Sequence, residues 1–387
     1  MPWSWWTSWR NLPTHGSGSR SGTSFYSRLT RTSGSRVNMK ESTMKAAILR
    51  EYGDPQVLDY GDLPTPEPKQ GEVLVRVLAA GLNRLDHYLR EGSVTRDLKL
   101  PHVLGSDAAG VVEAVGSGVA KFGPGDRVIP MPGYPLNPQE ADFHPISAAP
   151  SYVIRGIAEW GSYAQYMVVP ERWLLHDDTG LTPEEVATLP MAVVTGVRAV
   201  KVVGEVKAGD LVLVHAGASG TGSTNIQIAR ALGARVAATV RTPEKADLVR
   251  ELGAEVVIAL NDGDFVEAVR DWSEGRGVST VIDNLGGKIL TRSLDCLAPL
   301  GRLVSMGFVA GLEATIQIRP FFFAQKQIRG TLMGDVEDLE WGLEQVRQGK
   351  IRPILDRTFR LSDAAAAHTH LAAGTAGGSI VFLPWEA

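Results

Sequence analysis

The chain has 387 residues, 44% hydrophobic and 21% charged, with 42 Gly and 22 Pro. That composition fits two or three globular domains and excludes collagen-like, disulfide-scaffold and wholly disordered proteins. The single cysteine, Cys296, closes no intramolecular disulfide and builds no cysteine-based zinc cluster, so any metal site would need His and carboxylate ligands. Residues 1–43 carry six Lys and Arg against one acid, a net of +5, which against −4 for the whole chain leaves −9 for residues 44–387. Such an acidic body lacks the electrostatic footprint of a nucleic-acid binder, and no run of 18 apolar residues is present to span a membrane.

Residues 1–43 are expected to be a disordered extension: Trp3, Trp5, Trp6 and Trp9 stand among Ser and Gly with no periodic apolar face. The Arg- and Ser-rich, acid-poor composition fits an organelle transit peptide, which would make the protein mitochondrial. The preferred reading is an upstream extension before a start at Met39 or Met44, with a cytoplasmic body.

The body opens with a predicted strand over Lys45–Leu49, followed by a Pro-rich connector, Leu63 to Pro68. Val73–Val77 and Gly110–Val115 are β-branched, apolar runs that read as strands, and the turn Gly123-Pro124-Gly125-Asp126 leads into a further strand, Arg127–Ile129. From Leu211 the pattern changes. Strands over Leu211–His215, Arg235–Val240, Glu255–Ile258, Val278–Asp283 and Arg302–Met306 alternate with helical patterns over Thr224–Leu232, Pro243–Leu252, Asp264–Ser273 and Gly287–Leu297. Strands alternating with helices imply βαβ crossovers and a doubly wound parallel sheet.

The turn after the first of these strands reads His215-Ala216-Gly217-Ala218-Ser219-Gly220-Thr221-Gly222-Ser223. Glycines between a buried strand and a helix let the backbone approach a pyrophosphate at the positive helix N-terminus, so Gly217, Ser219, Gly220, Thr221 and Gly222 are candidate dinucleotide contacts. Ser219 stands where the common fingerprint has its middle glycine. After the second strand, at Thr239 to Lys245, the acid that usually receives the adenosine ribose of NAD is missing, and Arg241, Thr242 and Lys245 are donors suited to a 2′-phosphate. NADPH is therefore the favoured cofactor. The competing reading makes Arg241 and Lys245 solvated loop charges, and Glu244 keeps it open.

Across residues 44–387 the motifs occur in the order of a known family: Gly81-Leu82-Asn83-Arg84-Leu85-Asp86, Leu104-Gly105-Ser106-Asp107-Ala108-Ala109-Gly110, Gly125-Asp126-Arg127-Val128, Gly161-Ser162-Tyr163-Ala164-Gln165-Tyr166, Leu189-Pro190, Thr195-Gly196, the glycine turn and Leu252-Gly253-Ala254. The sequence resembles the medium-chain dehydrogenase/reductase superfamily. That resemblance implies an α/β protein: a GroES-like β domain over 44–175, completed by 327–387, around a Rossmann domain over 176–326, with Thr195 on the cofactor side. It also implies a homodimer. Zinc members carry a Cys in the segment matching Gly81 to Asp86, a His-Glu pair after the glycine matching Gly105, and a Cys before the Thr-Gly pair; here Asn83, Ser106-Asp107 and Met191 stand there. Asn, Ser and Met are poor zinc ligands, and the segment matching the structural-zinc lobe, Pro130 to Glu159, has no Cys, so no metal is expected.

What remains resembles the zinc-independent quinone oxidoreductase group. By position, Asn83 and Tyr88 become candidates to bind the substrate carbonyl and Asp86 to hold local structure. Without a metal, the charge that develops on the acceptor oxygen must be stabilised by hydrogen-bond donors, which suffices for quinones and enones because conjugation spreads that charge. Tyr88 and Asn83 are the proposed donors; the alternative for Tyr88 is a packed aromatic. Met306-Gly307-Phe308, ending a parallel strand, lies where such folds place the cofactor crevice, so Gly307 and Phe308 join the candidate cofactor residues. His87, His102, His368 and His370 are discounted as packed or surface residues, Cys296 as inert core, and Phe321–Phe323 as a core or subunit contact. The Pro-rich segment Pro130 to Glu159 is expected to be a loop covering the site. Two other functions stay in view: a zinc-type alcohol dehydrogenase, and an NADPH-binding protein without turnover.

Overall fold

The computed structural model describes residues 42–386. The disordered tail and the transit-peptide reading therefore lie outside the described residues, except that Thr43 already belongs to the first strand, Thr43–Leu49. That strand pairs antiparallel with Leu58–Pro64, Leu49 opposite Leu58 and Thr43 opposite Pro64. Pro64 sits at the end of this edge strand, where a missing N–H leaves no ladder bond unmade.

A larger sheet is organised around Glu72–Leu82, which pairs antiparallel with Asp107–Val115, Tyr166–Pro170 and Ser379–Leu383. Arg127–Pro130 and Leu174–His176 extend one side, and Leu355–Arg360 extends the other. Val73, Val75, Val77, Ala79 and Ala80 are fully buried, which is why this strand sits in the middle. The last strand, Ser379–Leu383, comes from the far end of the chain, so the β body closes only when the C-terminus returns to it.

The second sheet has six strands, all parallel, in the order Val256–Ala259, Arg235–Val240, Leu211–Val214, Val278–Asp283, Leu297–Ser305, Gln327–Gly330. Numbered along the chain this is 3-2-1-4-5-6. The order reverses between the first and fourth strands, and the crevice at their carboxyl ends is where this topology binds ligands. The sixth strand, Gln327–Gly330, extends the sheet past the boundary expected at 326; it is four residues long and half exposed, so it carries no buried apolar run to announce it.

The two sheets share one core through the apolar helix Pro190–Val197, in which six of eight residues are buried. It packs on Gly220–Ala231 and on Val336–Arg347. Gly342 makes the second contact possible, because a Cβ there would collide with Val193 Cγ1. No helix among the described residues is long and apolar enough to cross a membrane.

The segment Pro130 to Glu159 is built into the body. Gly133–Pro135 pairs with Tyr152–Ile154, Tyr134 and Ile146 are buried, and the Ile146 N–H donates to Asp335 Oδ1 at 2.7 Å. Asp335 also receives Arg198 at 3.1 Å. The loop expected to cover the site is thus a packed excursion pinned by its own apolar side chains. Replacing Gly342 by Val is expected to lower stability by about 1–3 kcal/mol through overpacking at this helix crossing, visible as a reduced midpoint in thermal or urea unfolding.

Candidate active site

The glycine turn follows from the burial of Leu211–Val214, all four residues of which lie inside. At its start Ala216 adopts φ +51 and Gly217 N–H donates to the Thr239 carbonyl at 2.7 Å, fixing the turn to the second strand. Ser219 then caps the helix Gly220–Ala231: its Oγ accepts the Gly222 N–H at 3.0 Å. Gly222 is required there, since a Cβ would run into the Ala216 carbonyl. Thr221, in the first helical turn, is only partly buried. The helix N-terminus, bare of side-chain bulk, presents unsatisfied N–H groups and positive potential. A Cβ on Gly220 would lie 2.9 Å from Ser379 Oγ, so the last strand of the β body borders this cradle.

Arg241 and Lys245, at the end of the second strand, converge on the loop after the helix Ala364–Ala373. Arg241 Nη2 donates to the Gly374 carbonyl at 3.1 Å, and Lys245 Nζ to the carbonyls of Gly374 and Ala376 at 3.0 and 2.6 Å. Burial and then the Arg241 charge push the Lys245 amine below its usual value. Two cations held together against carbonyl oxygens make a site that an anion would relieve. Thr242 turns to Glu244 instead, and its hydrogen bond holds that carboxylate below the usual range.

The third group of residues lies where the central β strand enters the helix Arg84–Glu91. Asn83 N–H donates to Asp86 Oδ2 at 2.8 Å, and the same carboxylate receives Tyr163 Oη at 2.8 Å and the Gly105 N–H at 3.2 Å. Asp86 is the structural anchor expected of it, and burial raises its carboxyl to about 6 against these three donors. Asn83 behaves differently from expectation. Its Nδ2 donates to Asp107 Oδ2 at 2.9 Å and to Ser106 Oγ at 3.3 Å, so both its N–H groups are directed into the protein. Asp107 Oδ1 takes the main-chain N–H of Met191 at 2.8 Å. Burial raises the Asp107 carboxyl to about 7, opposed by the Asn83 and Met191 donors.

Tyr88, half-buried on the same helix, stacks on Phe308 with ring centroids 5.8 Å apart and 21° between planes. Phe308 remains 45% exposed, so the pair forms a wall at the carboxyl edge of the parallel sheet and not a sealed core contact. Gly307 lies against the Asn284 backbone, where a Cβ would meet the Asn284 carbonyl at 2.5 Å. Thr195 Oγ1 donates to Met333 Sδ at 3.6 Å, one helical turn from Met191. Two side-chain oxygens that sequence reasoning missed, Asn225 Oδ1 and Asn284 Oδ1, are buried with no hydrogen-bond partner among the described residues, which is what a ligand amide or hydroxyl would supply. Their only signal was position: one on the helix after the glycine turn, the other just past the fourth strand.

The discounted residues stay apart from this chemistry. His102 Nε2 donates to the Gly156 carbonyl (3.0 Å), His370 pairs with Asp356 at 2.8 Å, and His87 lies beside Arg90 and Glu91. His368 is buried and burial lowers it to about 3; Cys296 is buried and its thiol is pushed up to about 12. Phe321 is half-buried against the parallel-sheet core while Phe322 and Phe323 are 56% and 68% exposed. At the positions where zinc members of the superfamily place ligands, the donors here are an amide, a hydroxyl and a thioether. The one anionic group, Asp107, has both oxygens engaged by Asn83 and Met191, so this donor set does not fit a zinc ion.

Residues 69–179 match the alcohol dehydrogenase GroES-like domain, and residues 220–348 match the zinc-binding dehydrogenase domain. The chain is 34% identical to a quinone oxidoreductase of Pseudomonas aeruginosa over 86% of its length and 97% of the relative's. It is 32% identical to a 2-haloacrylate reductase of Burkholderia, over 88% of its length and 98% of the relative's. A solved NAD-dependent alcohol dehydrogenase superposes with a TM-score of 0.84 at 36% identity, covering 88% of this chain and 99% of that one. The fold and site define a nicotinamide-dependent oxidoreductase. The chain belongs to the medium-chain dehydrogenase/reductase superfamily.

The anchoring carboxylate has a measurable consequence. Asp86 is neutral in the fold below about pH 6, while an unfolded Asp ionises near 3.8, so its contribution to stability falls as pH rises between these values. The stability advantage of the wild type over Asp86→Asn is expected to shrink by about 1 kcal/mol between pH 5 and 7.5, measured by urea unfolding at each pH.

Proposed function

We propose that the protein is a zinc-independent, NADPH-dependent reductase that transfers a hydride to quinones or α,β-unsaturated carbonyls. The observation that carries this reading is the joint presence of a zinc-incompatible donor set at Asn83, Ser106 and Met191 and the Arg241–Lys245 cation pair at the end of the second parallel strand. The quinone oxidoreductase and 2-haloacrylate reductase relatives support the same class of acceptor. In this reading residues 44–175 and the C-terminal strands supply the acceptor side, and the parallel-sheet segment supplies the cofactor side.

The residues divide the work as follows. The N–H groups of Gly220 and Thr221, at a helix start capped by Ser219 and kept bare by Gly222, hold the pyrophosphate. Arg241 and Lys245 take the 2′-phosphate, with the Gly374 and Ala376 carbonyls giving way to its oxygens. Thr195, Gly307 and Phe308 border the nicotinamide, whose C4 supplies the hydride when the cofactor is bound. Tyr88 Oη donates to the acceptor oxygen as negative charge develops there, and the Tyr88–Phe308 wall keeps bulk water from that oxygen. A conjugated acceptor disperses the charge, so neutral donors are adequate where a simple ketone would need a Lewis acid.

The edge strand Gln327–Gly330 lies beside Leu300, Ile318, Phe322 and Phe323, each more than half exposed, and we read this edge as the surface joining two copies of the chain. Light scattering at twice the mass of the chain would agree with it; a monomer would not.

The deciding assay follows oxidation of NADPH and NADH with 1,4-naphthoquinone and 2-cyclohexen-1-one in excess chelator. NADPH turnover that survives the chelator is expected, with NADH a poor substitute. The double variant Arg241→Ala/Lys245→Ala should lose about a hundredfold in kcat/KM for NADPH while changing NADH little, since two charge-assisted contacts are removed. Tyr88→Phe should lower kcat about a hundredfold with the KM for NADPH unchanged. Equal use of both cofactors by wild type and double variant would overturn the NADPH assignment. Chelator-sensitive alcohol oxidation would overturn the zinc-free one.

A further inference from the structure

Behind the glycine turn lies a buried imidazole. His215 follows the first parallel strand; its main-chain N–H donates to the Ile282 carbonyl at 3.1 Å, and its ring stands perpendicular to Phe265 with centroids 5.2 Å apart. Burial lowers the ring to about 3, so it is neutral at physiological pH. Nδ1 lies 2.9 Å from Thr239 Oγ1, and Nε2 lies 2.7 Å from Oγ of Ser293, the last residue of the helix Gly287–Ser293. The groups at the two ends place the protons. Ser293 Oγ gives its own proton to the Ile289 carbonyl at 2.7 Å, so toward His215 it accepts, and Nε2 carries the ring proton. Nδ1 is then an acceptor and takes the Thr239 hydroxyl proton. With its proton spent there, Thr239 Oγ1 turns a lone pair to the Ala216 N–H at 3.3 Å. The bonds run in one direction, from Ala216 through Thr239 and His215 to Ser293 and the Ile289 carbonyl.

Ala216 is the residue that needs holding. Its φ of +51 lies in the left-handed region, where any side chain is strained. That conformation directs its carbonyl to the Ser219 N–H at 2.9 Å and against Gly222, where a Cβ would sit only 2.1 Å from the carbonyl oxygen. Ser219 in turn caps the helix Gly220–Ala231. We infer that His215 is a positioning residue for the dinucleotide cofactor: acting through Thr239, it keeps Ala216 in the left-handed turn that presents the Gly220 and Thr221 N–H groups to the pyrophosphate. The inference rests on cofactor binding at the glycine turn, and it holds whether or not the cofactor carries a 2′-phosphate.

Calorimetric titration with NADPH and with NADH tests this. Thr239→Val keeps the outline of the side chain and removes the hydroxyl that links His215 to Ala216. Both cofactors are expected to bind it about tenfold more weakly than wild type and by the same factor, because both carry the pyrophosphate, whereas Arg241→Ala/Lys245→Ala weakens NADPH alone. His215→Leu should match Thr239→Val, and Thr239→Ser, which keeps the hydroxyl, should bind as wild type does. Rescue separates positioning from packing. Ala216→Gly removes the strain that the hydrogen bonds offset, so His215→Leu/Ala216→Gly should regain wild-type affinity. A His215 that only filled the core would leave that double variant as weak as His215→Leu. Thr239→Val/Ala216→Gly repeats the rescue if His215→Leu does not fold. Before any cofactor is added, the ¹⁵N spectrum of the wild-type protein should show His215 with its proton on Nε2. The opposite tautomer, unchanged affinity in Thr239→Val, or a double variant that stays weak overturns the inference. Wild-type protein that binds neither NADPH nor NADH overturns the cofactor reading itself, and the inference falls with it.

Discussion

One buried carboxylate with no cation beside it joins the halves of this molecule. Asp107 takes the amide of Asn83 on one oxygen and the main-chain N–H of Met191 on the other. The first contact fixes the turn from the central β strand into the helix Arg84–Glu91; the second fixes the start of the apolar helix that packs on Gly220–Ala231 and Val336–Arg347. A buried polar group left without partners costs about 1–3 kcal/mol, so neither contact can be surrendered without the other side moving. Asp107 therefore ties the Asn83 turn to the start of the apolar helix, while Asp86 takes Tyr163 and Gly105 within the β body.

The same coupling recurs at the phosphate end. Strand Ser379–Leu383 belongs to the β body, yet Ser379 borders Gly220 and the preceding loop lies on Arg241 and Lys245. Asp356 holds that loop from behind, accepting the Gly377 N–H at 2.8 Å while paired with His370. Gln227, on the helix after the glycine turn, bonds Arg352 in both directions at 3.1 and 2.8 Å. Cofactor phosphates seated here would touch groups from both sheets, so binding and the relative placement of the two halves share one set of contacts.

How much of this was legible depended on distance along the chain. Arg235–Val240 and Val278–Asp283 were read to the residue because a buried parallel strand is a continuous apolar run bounded by turn residues. The helix after the glycine turn begins at Gly220, four residues before the Thr224 start that the apolar pattern suggests. Its first turn is Gly-Thr-Gly-Ser, whose poor propensity is overruled by the Ser219 cap and by the need for a bare backbone at Gly222. Leu297–Ser305 begins five residues before its expected start because Pro299 and Gly301 interrupt the apolar pattern without ending the ladder. The direction of the Asn83 amide was not legible at all: it is decided by Ser106 and Asp107, 23 and 24 residues on, and through Asp107 by Met191, a further 84 residues away. Composition identifies which side chains are present in a pocket; only the fold decides which of their atoms face it.

In the proposed reading the chemistry of the site follows from neutral groups standing where zinc members of the superfamily place metal ligands. A divalent cation polarises any carbonyl, whereas an amide and a phenol stabilise charge only to the extent that the acceptor already disperses it. Neutral donors also depend on orientation in a way that an ion does not, since an amide turned over becomes a repelling group. In the reductase reading proposed above, a site built from neutral donors therefore selects acceptors that already disperse the charge the hydride leaves on their oxygen.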